Sequence, residues 1–216
     1  MKGDKKRGLF ITVEGTDGSG KTTQMGNMQQ YLSSLGCQVL LTREPGGTRI
    51  SEDIRSIILD SAYTEMSNIT ELLLYSASRA QLVEEIIKPS IEKGITVICD
   101  RYTDSFFAYQ GYGRGICMEL LESVTEIAVN GTMPDITFFF DLDPRIGLKR
   151  RRAATGSDRI ENEVPDFHKR VHEGYRALAN RYPGRIKTID ASRTAGDVWT
   201  DVRHQLDRML GFVKFV

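Results

Sequence analysis

Residues 15–22 read Gly15-Thr16-Asp17-Gly18-Ser19-Gly20-Lys21-Thr22 and fit the pattern G-x-x-x-x-G-K-[ST]. The glycines let a backbone wrap closely around an anion and turn several N–H groups toward it. Lys21, read here as an exposed lysine of the loop, supplies a point charge for β- and γ-phosphates. The Thr22 hydroxyl is the kind of hard oxygen that Mg²⁺ takes. A glycine-rich turn can match this pattern by chance, so its setting decides. The motif needs a strand directly before it and a helix directly after it. Residues 9–13 are a short apolar run, and residues 22–35 form a helical segment. A nucleoside-triphosphate site follows, and with it a fold in which helices cross back over a parallel sheet.

The rest of the chain agrees with that frame. Further apolar runs lie at 39–41, 95–99, 136–140 and 186–189, rich in Val, Ile or Phe and bounded by Gly, Pro or charge. They lack polar alternation, as buried strands do when helices cover both faces of a sheet. Leu72, Leu73, Ser76, Ala80, Val83 and Ile87 recur at helical spacing as one face, and Val198, Val202, Leu206 and Leu210 step by four. The expectation is an α/β fold: a five-stranded parallel sheet flanked by helices on both faces, of the P-loop NTPase type, in one domain over residues 1–216.

Composition excludes several classes of function. Lys+Arg and Asp+Glu number 29 each, so there is no net basic footprint for nucleic acid. Cys37, Cys99 and Cys117 form no C-x-x-C pair, which argues against a disulfide framework or zinc and for a reducing cytoplasm. The apolar stretch at 8–13 stops at Glu14, too short for a signal peptide or a membrane span.

Lys149, Arg150, Arg151 and Arg152, followed by Ala-Ala-Thr-Gly-Ser, open the least apolar stretch. It reads either as a solvated helix end or as a mobile basic lid over an anionic ligand. No Asn-Lys dipeptide exists to build a guanine reader. Arginines instead follow the predicted strands: Arg43 and Arg55 after the second, Arg101 after the third. Guanidinium forks match phosphate oxygens two at a time, so several beside a P-loop favour a kinase whose acceptor is itself a phosphate ester.

Four blocks then carry a family resemblance: Thr42-Arg43-Glu44-Pro45-Gly46-Gly47-Thr48, Ser78-Arg79, the run from Asp100-Arg101-Tyr102 through Tyr109-Gln110-Gly111, and Asp158-Arg159-Ile160-Glu161. In order and spacing, from about residue 8 to 182, the chain resembles bacterial thymidylate kinases. The resemblance implies transfer of the ATP γ-phosphoryl to dTMP with Mg²⁺, giving dTDP and ADP. It implies ATP binding by residues 15–22 together with Thr23, and Mg²⁺ at Thr22 and Asp100. Arg55 and Arg101 would hold the dTMP phosphate, and Asp17 would accept from the sugar 3′-hydroxyl. Arg79 and Gln110 would meet the polar edge of thymine, Tyr75 would stack on it, and Tyr109 would crowd the sugar C2′. Glu44 and Pro45 would only shape their loop. Relatives are usually homodimers, and the apolar helices at 68–91 and 114–129 are candidates for that interface.

The chain departs from the family pattern in two places. Phe106 stands beside the nucleotide where many relatives place Ser, Thr, Asn or Gly. Gly18 stands where some relatives place an arginine in the P-loop. The resemblance makes residues 149–161 a lid, and with Gly18 unable to act, Arg152 is expected to meet the transferring phosphoryl, with Arg159 as second choice. An arginine introduced at Gly18 is a candidate to recover part of an Arg152 loss. The catalytic set is then Lys21, Arg152, Arg101 and Asp17. The alternatives are a kinase for another nucleoside monophosphate or a deoxynucleoside, and a catalytically silent nucleotide-binding module.

Overall fold

The computed structural model describes residues 7–152 and 158–212, with Arg151 and Arg152 described by their backbone alone. Strands form at each of the expected runs: β1 (Phe10–Glu14), β2 (Val39–Arg43), β3 (Thr96–Asp100), β4 (Ile136–Asp141) and β5 (Ile186–Asp190). They make one five-stranded sheet in the order β2-β3-β1-β4-β5, and every pairing is parallel. Each strand runs past its apolar stretch to end on a charged residue: Glu14, Arg43, Asp100, Asp141 or Asp190. Parallel register lines these ends up, with Arg43 opposite Asp100 and Val13 opposite Asp100 on the other side. The carboxyl edge of the sheet, where ligands bind in such folds, is thus the charged edge.

Alternate residues of the central strands supply two cores. Ile11, Val13, Ile98, Phe138 and Phe140 pack on one face against Met25, Met28 and Leu32 of α1 (Lys21–Ser34) and Val198, Val202 and Leu206 of α9 (Ala195–Met209). Phe10, Val97 and Cys99 pack on the other face against Leu82, Val83, Ile87 and Ile91. Those residues come from α3 (Asn68–Leu82), a π-helical segment Val83–Ile87 and α4 (Lys88–Glu92). The same face carries α6 (Met118–Val129) and α8 (Pro165–Arg181), whose Phe167, Val171 and Tyr175 join Phe139.

Two expectations fail locally. The edge strands are not fully buried: every residue of β2 is half-buried or exposed, and only Ile186 and Ile189 of β5 are buried. An edge strand lacks a neighbour on one side and the helices cover it only in part. Leu73 does not belong to the buried face of α3 and is 53% exposed, because it sits one residue, about 100°, around the helix from Leu72. Leu72, Ser76, Val83 and Ile87 do stay buried.

The connections at the carboxyl edge form the site. α2 (Arg49–Leu59) is capped by Thr48, whose side chain accepts from Ser51 N at 3.1 Å. α5 (Thr103–Phe106) runs on into a second π-helical segment, Phe107–Gly113, and α7 (Pro144–Arg152) follows β4.

Candidate nucleotide site

Two adjoining cavities open at the carboxyl ends of β1, β2 and β3, and Asp17, Glu44, Arg55 and Arg101 stand in the walls of both. One is lined by the P-loop residues Gly18, Gly20, Lys21, Thr22 and Thr23, with Asp100 and Arg150. The other, aromatic, is lined by Tyr75, Arg79, Phe106, Tyr109 and Gln110. The residues assigned from sequence to the acceptor therefore share one cavity; of those assigned to ATP and metal, Asp17, Gly18, Gly20, Lys21, Thr22, Thr23 and Asp100 line its neighbour, and Gly15, Thr16 and Ser19 do not.

Lys21 is not an exposed loop lysine. It is the first residue of α1 and only 6% exposed, because the chain turns into the helix there and folds the loop over it. Its Nζ donates to the carbonyls of Gly15 and Thr16, both at 3.1 Å, and lies 3.8 Å from Asp17 Oδ1. Burial lowers its pKa, and the positive charge of Arg101 adds to this; Asp100, Asp17 and Glu14 pull the other way. The hydroxyls of Thr16 and Ser19 are buried without a hydrogen-bond partner.

Arg101 links the cavities. It adopts a left-handed backbone (φ 70°), rare for a side chain with a Cβ, at the abrupt turn from β3 into α5. Its guanidinium donates to Asp17 Oδ1 at 2.7 Å, Tyr175 Oη at 3.1 Å and Ser105 Oγ at 3.3 Å, and lies 5.4 Å from the Tyr109 ring centroid. Behind it, Glu14 is fully buried, accepting from Tyr102 N at 2.8 Å, from Ser105 Oγ and from Tyr175 Oη at 3.3 Å. Burial, helped by the charge of Asp104, pushes the Glu14 carboxyl up to about 7. Sequence reading missed Glu14, Ser105 and Tyr175 as site residues. The one available signal was a carboxylate closing an otherwise apolar run.

At the far end of the aromatic cavity, Arg79 is 2% exposed. Its Nε donates to Glu44 Oε2 at 2.8 Å and its Nη2 to Tyr102 O at 3.2 Å. The guanidinium lies 4.9 Å from the Phe106 ring centroid and 5.3 Å from that of Tyr102. Phe106, where many relatives place a polar residue, thus packs on the arginine and lines the cavity with it. Glu44, expected only to shape its loop, walls both cavities and anchors Arg79; burial pushes its carboxyl up to about 7 against the pull of that arginine. Pro45 does hold the loop, since its carbonyl accepts from Arg55 Nη1 at 2.8 Å. Arg79 Nη1, Glu44 Oε1 and Gln110 Oε1 are buried without partners.

Glu71 was also missed from sequence, as a carboxylate on an apolar helix with no motif around it. It holds Arg159, whose Nη2 donates to Glu71 Oε2 at 2.5 Å and whose Nε donates to Ile58 O at 2.9 Å. Arg159 is thus held beside α2 and α3 and does not line the P-loop cavity.

Helix α7 touches the P-loop backbone to backbone. A Cβ at Gly18 (φ +76°) would fall 2.2 Å from Gly147 O, and a Cβ at Gly147 would fall 2.3 Å from Asp17 O. An arginine at Gly18 has no room in this packing, so it is no substitute for a lid arginine. Arg150 Nη1 donates to Gly18 O at 3.4 Å and lines the P-loop cavity. The side chains of Arg151 and Arg152, and residues 153–157 of the expected lid at about 149–161, lie outside the described residues.

Asp100 Oδ1 is buried without a partner, in a residue that lines the P-loop cavity together with Thr22. No group of three or more His, Cys, Asp or Glu suited to a metal occurs among the described residues. One carboxylate and one hydroxyl fit Mg²⁺, which keeps waters and takes its other oxygens from substrate phosphates.

A sequence model of the thymidylate kinase family matches residues 13–202. The chain is 45% identical over 207 residues to the thymidylate kinase of Shouchella clausii (strain KSM-K16), an alignment covering 95% of this chain and 97% of the relative. It is 48% identical over 206 residues to the thymidylate kinase of Pelotomaculum thermopropionicum, covering 94% and 95%. Its fold is similar to the crystal structure of thymidylate kinase from Ehrlichia chaffeensis, with a TM-score of 0.75, 35% identity, and coverage of 93% of this chain and 99% of that one.

Proposed function

The chain belongs to the thymidylate kinase family and phosphorylates dTMP, and we propose that it does so with ATP and Mg²⁺ across the two adjoining cavities. The observation that carries this reading is the shared wall of Asp17, Arg55 and Arg101 between them. An acceptor phosphate held there by Arg55 and Arg101 faces the γ-phosphate end of the P-loop, the in-line arrangement that phosphoryl transfer needs.

In this reading dTMP enters the aromatic cavity. Tyr75 lies on the base, Arg79 Nη1 donates to the thymine 4-oxygen and Gln110 Oε1 accepts from N3–H. Tyr109 fills the space a ribose 2′-hydroxyl would need, and Asp17 accepts from the 3′-hydroxyl. ATP phosphates lie against Gly15, Thr16, Asp17, Gly18, Ser19, Gly20, Lys21, Thr22 and Thr23. Mg²⁺, when bound by Asp100 and Thr22, offsets charge on the β- and γ-phosphate oxygens. Lys21 exchanges its carbonyl partners for phosphate oxygens, and Arg152, brought in by the lid at about 149–161, donates to the transferring group. The whole is read as a single domain.

Ile69 and Leu73 on α3 and Leu120 and Ile127 on α6 are exposed, on helices that pack against each other. They are our candidate face for a homodimer. No helix among the described residues is long and apolar enough to cross a membrane, and Cys37, Cys99 and Cys117 are free thiols. Both facts support a cytoplasmic enzyme.

A coupled ADP-release assay across dTMP, dUMP, UMP, dCMP and thymidine tests the reading. ADP should form fastest with dTMP and not at all with thymidine, which has no phosphate for Arg55 and Arg101. Turnover of thymidine comparable to dTMP would overturn it.

A further inference from the structure

Glu71 is 1% exposed on α3 and has no part in the transfer described above. Its Oε1 accepts from Gln110 Nε2 and Arg114 Nε, both at 3.0 Å; its Oε2 accepts from Arg114 Nη2 at 3.0 Å and Arg159 Nη2 at 2.5 Å. Burial works to raise its pKa, but the bonds and charge of Arg114, with Gln110 and Arg159, hold it below the usual carboxylate range. An ionised carboxylate only accepts, so only the –NH₂ side of the Gln110 amide can face it. The amide carbonyl is thereby turned the other way, and Gln110 Oε1 is left buried and unpartnered in a residue lining the aromatic cavity.

Arg79 is fixed in the same fashion. Glu44 takes its Nε and Tyr102 O takes its Nη2, which leaves Nη1 buried and unpartnered in the same lining. Arg79 Nη1 is therefore a fixed donor and Gln110 Oε1 a fixed acceptor in this lining, where Glu44 Oε1 is also unpartnered. A pyrimidine with a 4-oxo group beside N3–H satisfies both. A 4-amino group beside a bare N3 sets donor against donor and acceptor against acceptor, leaving buried polar groups unpaired.

We propose that Glu71 is a positioning residue that locks the orientation of the Gln110 amide and so makes the cavity select 4-oxo over 4-amino pyrimidine monophosphates. The inference rests on the reading that this cavity takes the acceptor base. It goes beyond that reading by assigning the selection to a carboxylate that does not touch the nucleotide.

The test is kcat/KM for dTMP and for dCMP, in wild type and in Glu71→Gln, with folding followed by thermal unfolding. A glutamine at 71 can present either side of its amide, which frees Gln110 to turn. The dTMP:dCMP ratio should narrow at least tenfold, with the dTMP KM raised about tenfold and kcat within a few-fold; a purely structural role would lower kcat for both acceptors together. Glu71→Asp keeps the charge for Arg114 and Arg159 but withdraws the oxygen from Gln110, so it should narrow the ratio as well. An unchanged ratio in either folded variant overturns the proposal. Should neither fold, Gln110→Met leaves Glu71 its arginines and reads the same discrimination, and an unchanged ratio there overturns it too. Failure of wild type to use dTMP would sink the functional reading instead, and is seen before any variant is made.

Discussion

Single side chains here act through what holds them. Lys21 sits on two backbone carbonyls, ready to transfer to phosphate oxygens, so its charge matters to transfer more than to acceptor binding. Lys21→Met should lower kcat/KM by about 10²–10³ or more, while dTMP binding measured by calorimetry stays within a few-fold of wild type. A variant that turns over normally would remove Lys21 from the chemistry. Tyr109 is braced edge-on by Phe167 and Tyr175, with ring centroids at 6.0 and 6.4 Å, so it cannot swing aside for a ribose. Tyr109→Ala should admit UMP, raising the UMP:dTMP ratio of kcat/KM at least tenfold, as a competition assay would show. Arg55 and Tyr75 lie outside the four family blocks, but Arg79, Arg101, Tyr109 and Gln110 were legible because each belongs to one. Glu14, Glu71 and Tyr175 were not. Their importance comes from which partners the fold brings to them, Ser105 from 91 residues beyond Glu14 and Gln110 from 39 beyond Glu71, and no local pattern encodes that.

At the scale of elements, each strand was legible from its apolar run, and each carboxyl boundary ran one or two residues farther. Charged strand ends such as Asp100 and Asp141 remain extended because the ladder continues through them. The contact between α7 and the P-loop was not legible, since glycine in a helix signals nothing about what lies against it. Gly147→Ala makes that contact measurable. Helix propensity alone favours alanine by about 1 kcal/mol. A Cβ placed 2.3 Å from Asp17 O forces a backbone to move, and overpacking of this kind costs about 1–3 kcal/mol. The strain is at least as large as the gain, so the melting temperature should stay level or fall. Asp17 carries the ion pair to Arg101, so even a small displacement disturbs both cavities, and kcat/KM should drop at least tenfold. Wild-type kinetics in a folded Gly147→Ala protein would mean the two backbones part freely.

The whole molecule carries unusual carboxyls beneath the site, and they set how its stability follows pH. Burial raises Glu14 and Glu44 from an ordinary 4.5 to about 7. Between these values the native state holds protons that the unfolded chain has released. Stability from both groups is therefore full below about 4.5 and is lost as pH rises through about 7. Other groups oppose this. Burial depresses His168 below its usual 6.5, so its contribution is present above that value and lost as pH falls. Glu71 is held low by its arginines, and Asp143 is pulled to about 2 by Arg145, so they contribute above the ordinary carboxylate range and lose that only in stronger acid. Comparing one variant with wild type isolates the Glu14 part. Glu14 faces Arg101, Asp104, Tyr175 and Lys21, and Glu14→Gln keeps a neutral group of the same shape among them. Thermal unfolding from pH 5.5 to 8 should show wild type losing stability toward pH 8 more steeply than Glu14→Gln. Equal slopes would mean that Glu14 is ionised in the native protein throughout, held so by Arg101 and the Tyr102 amide despite its burial.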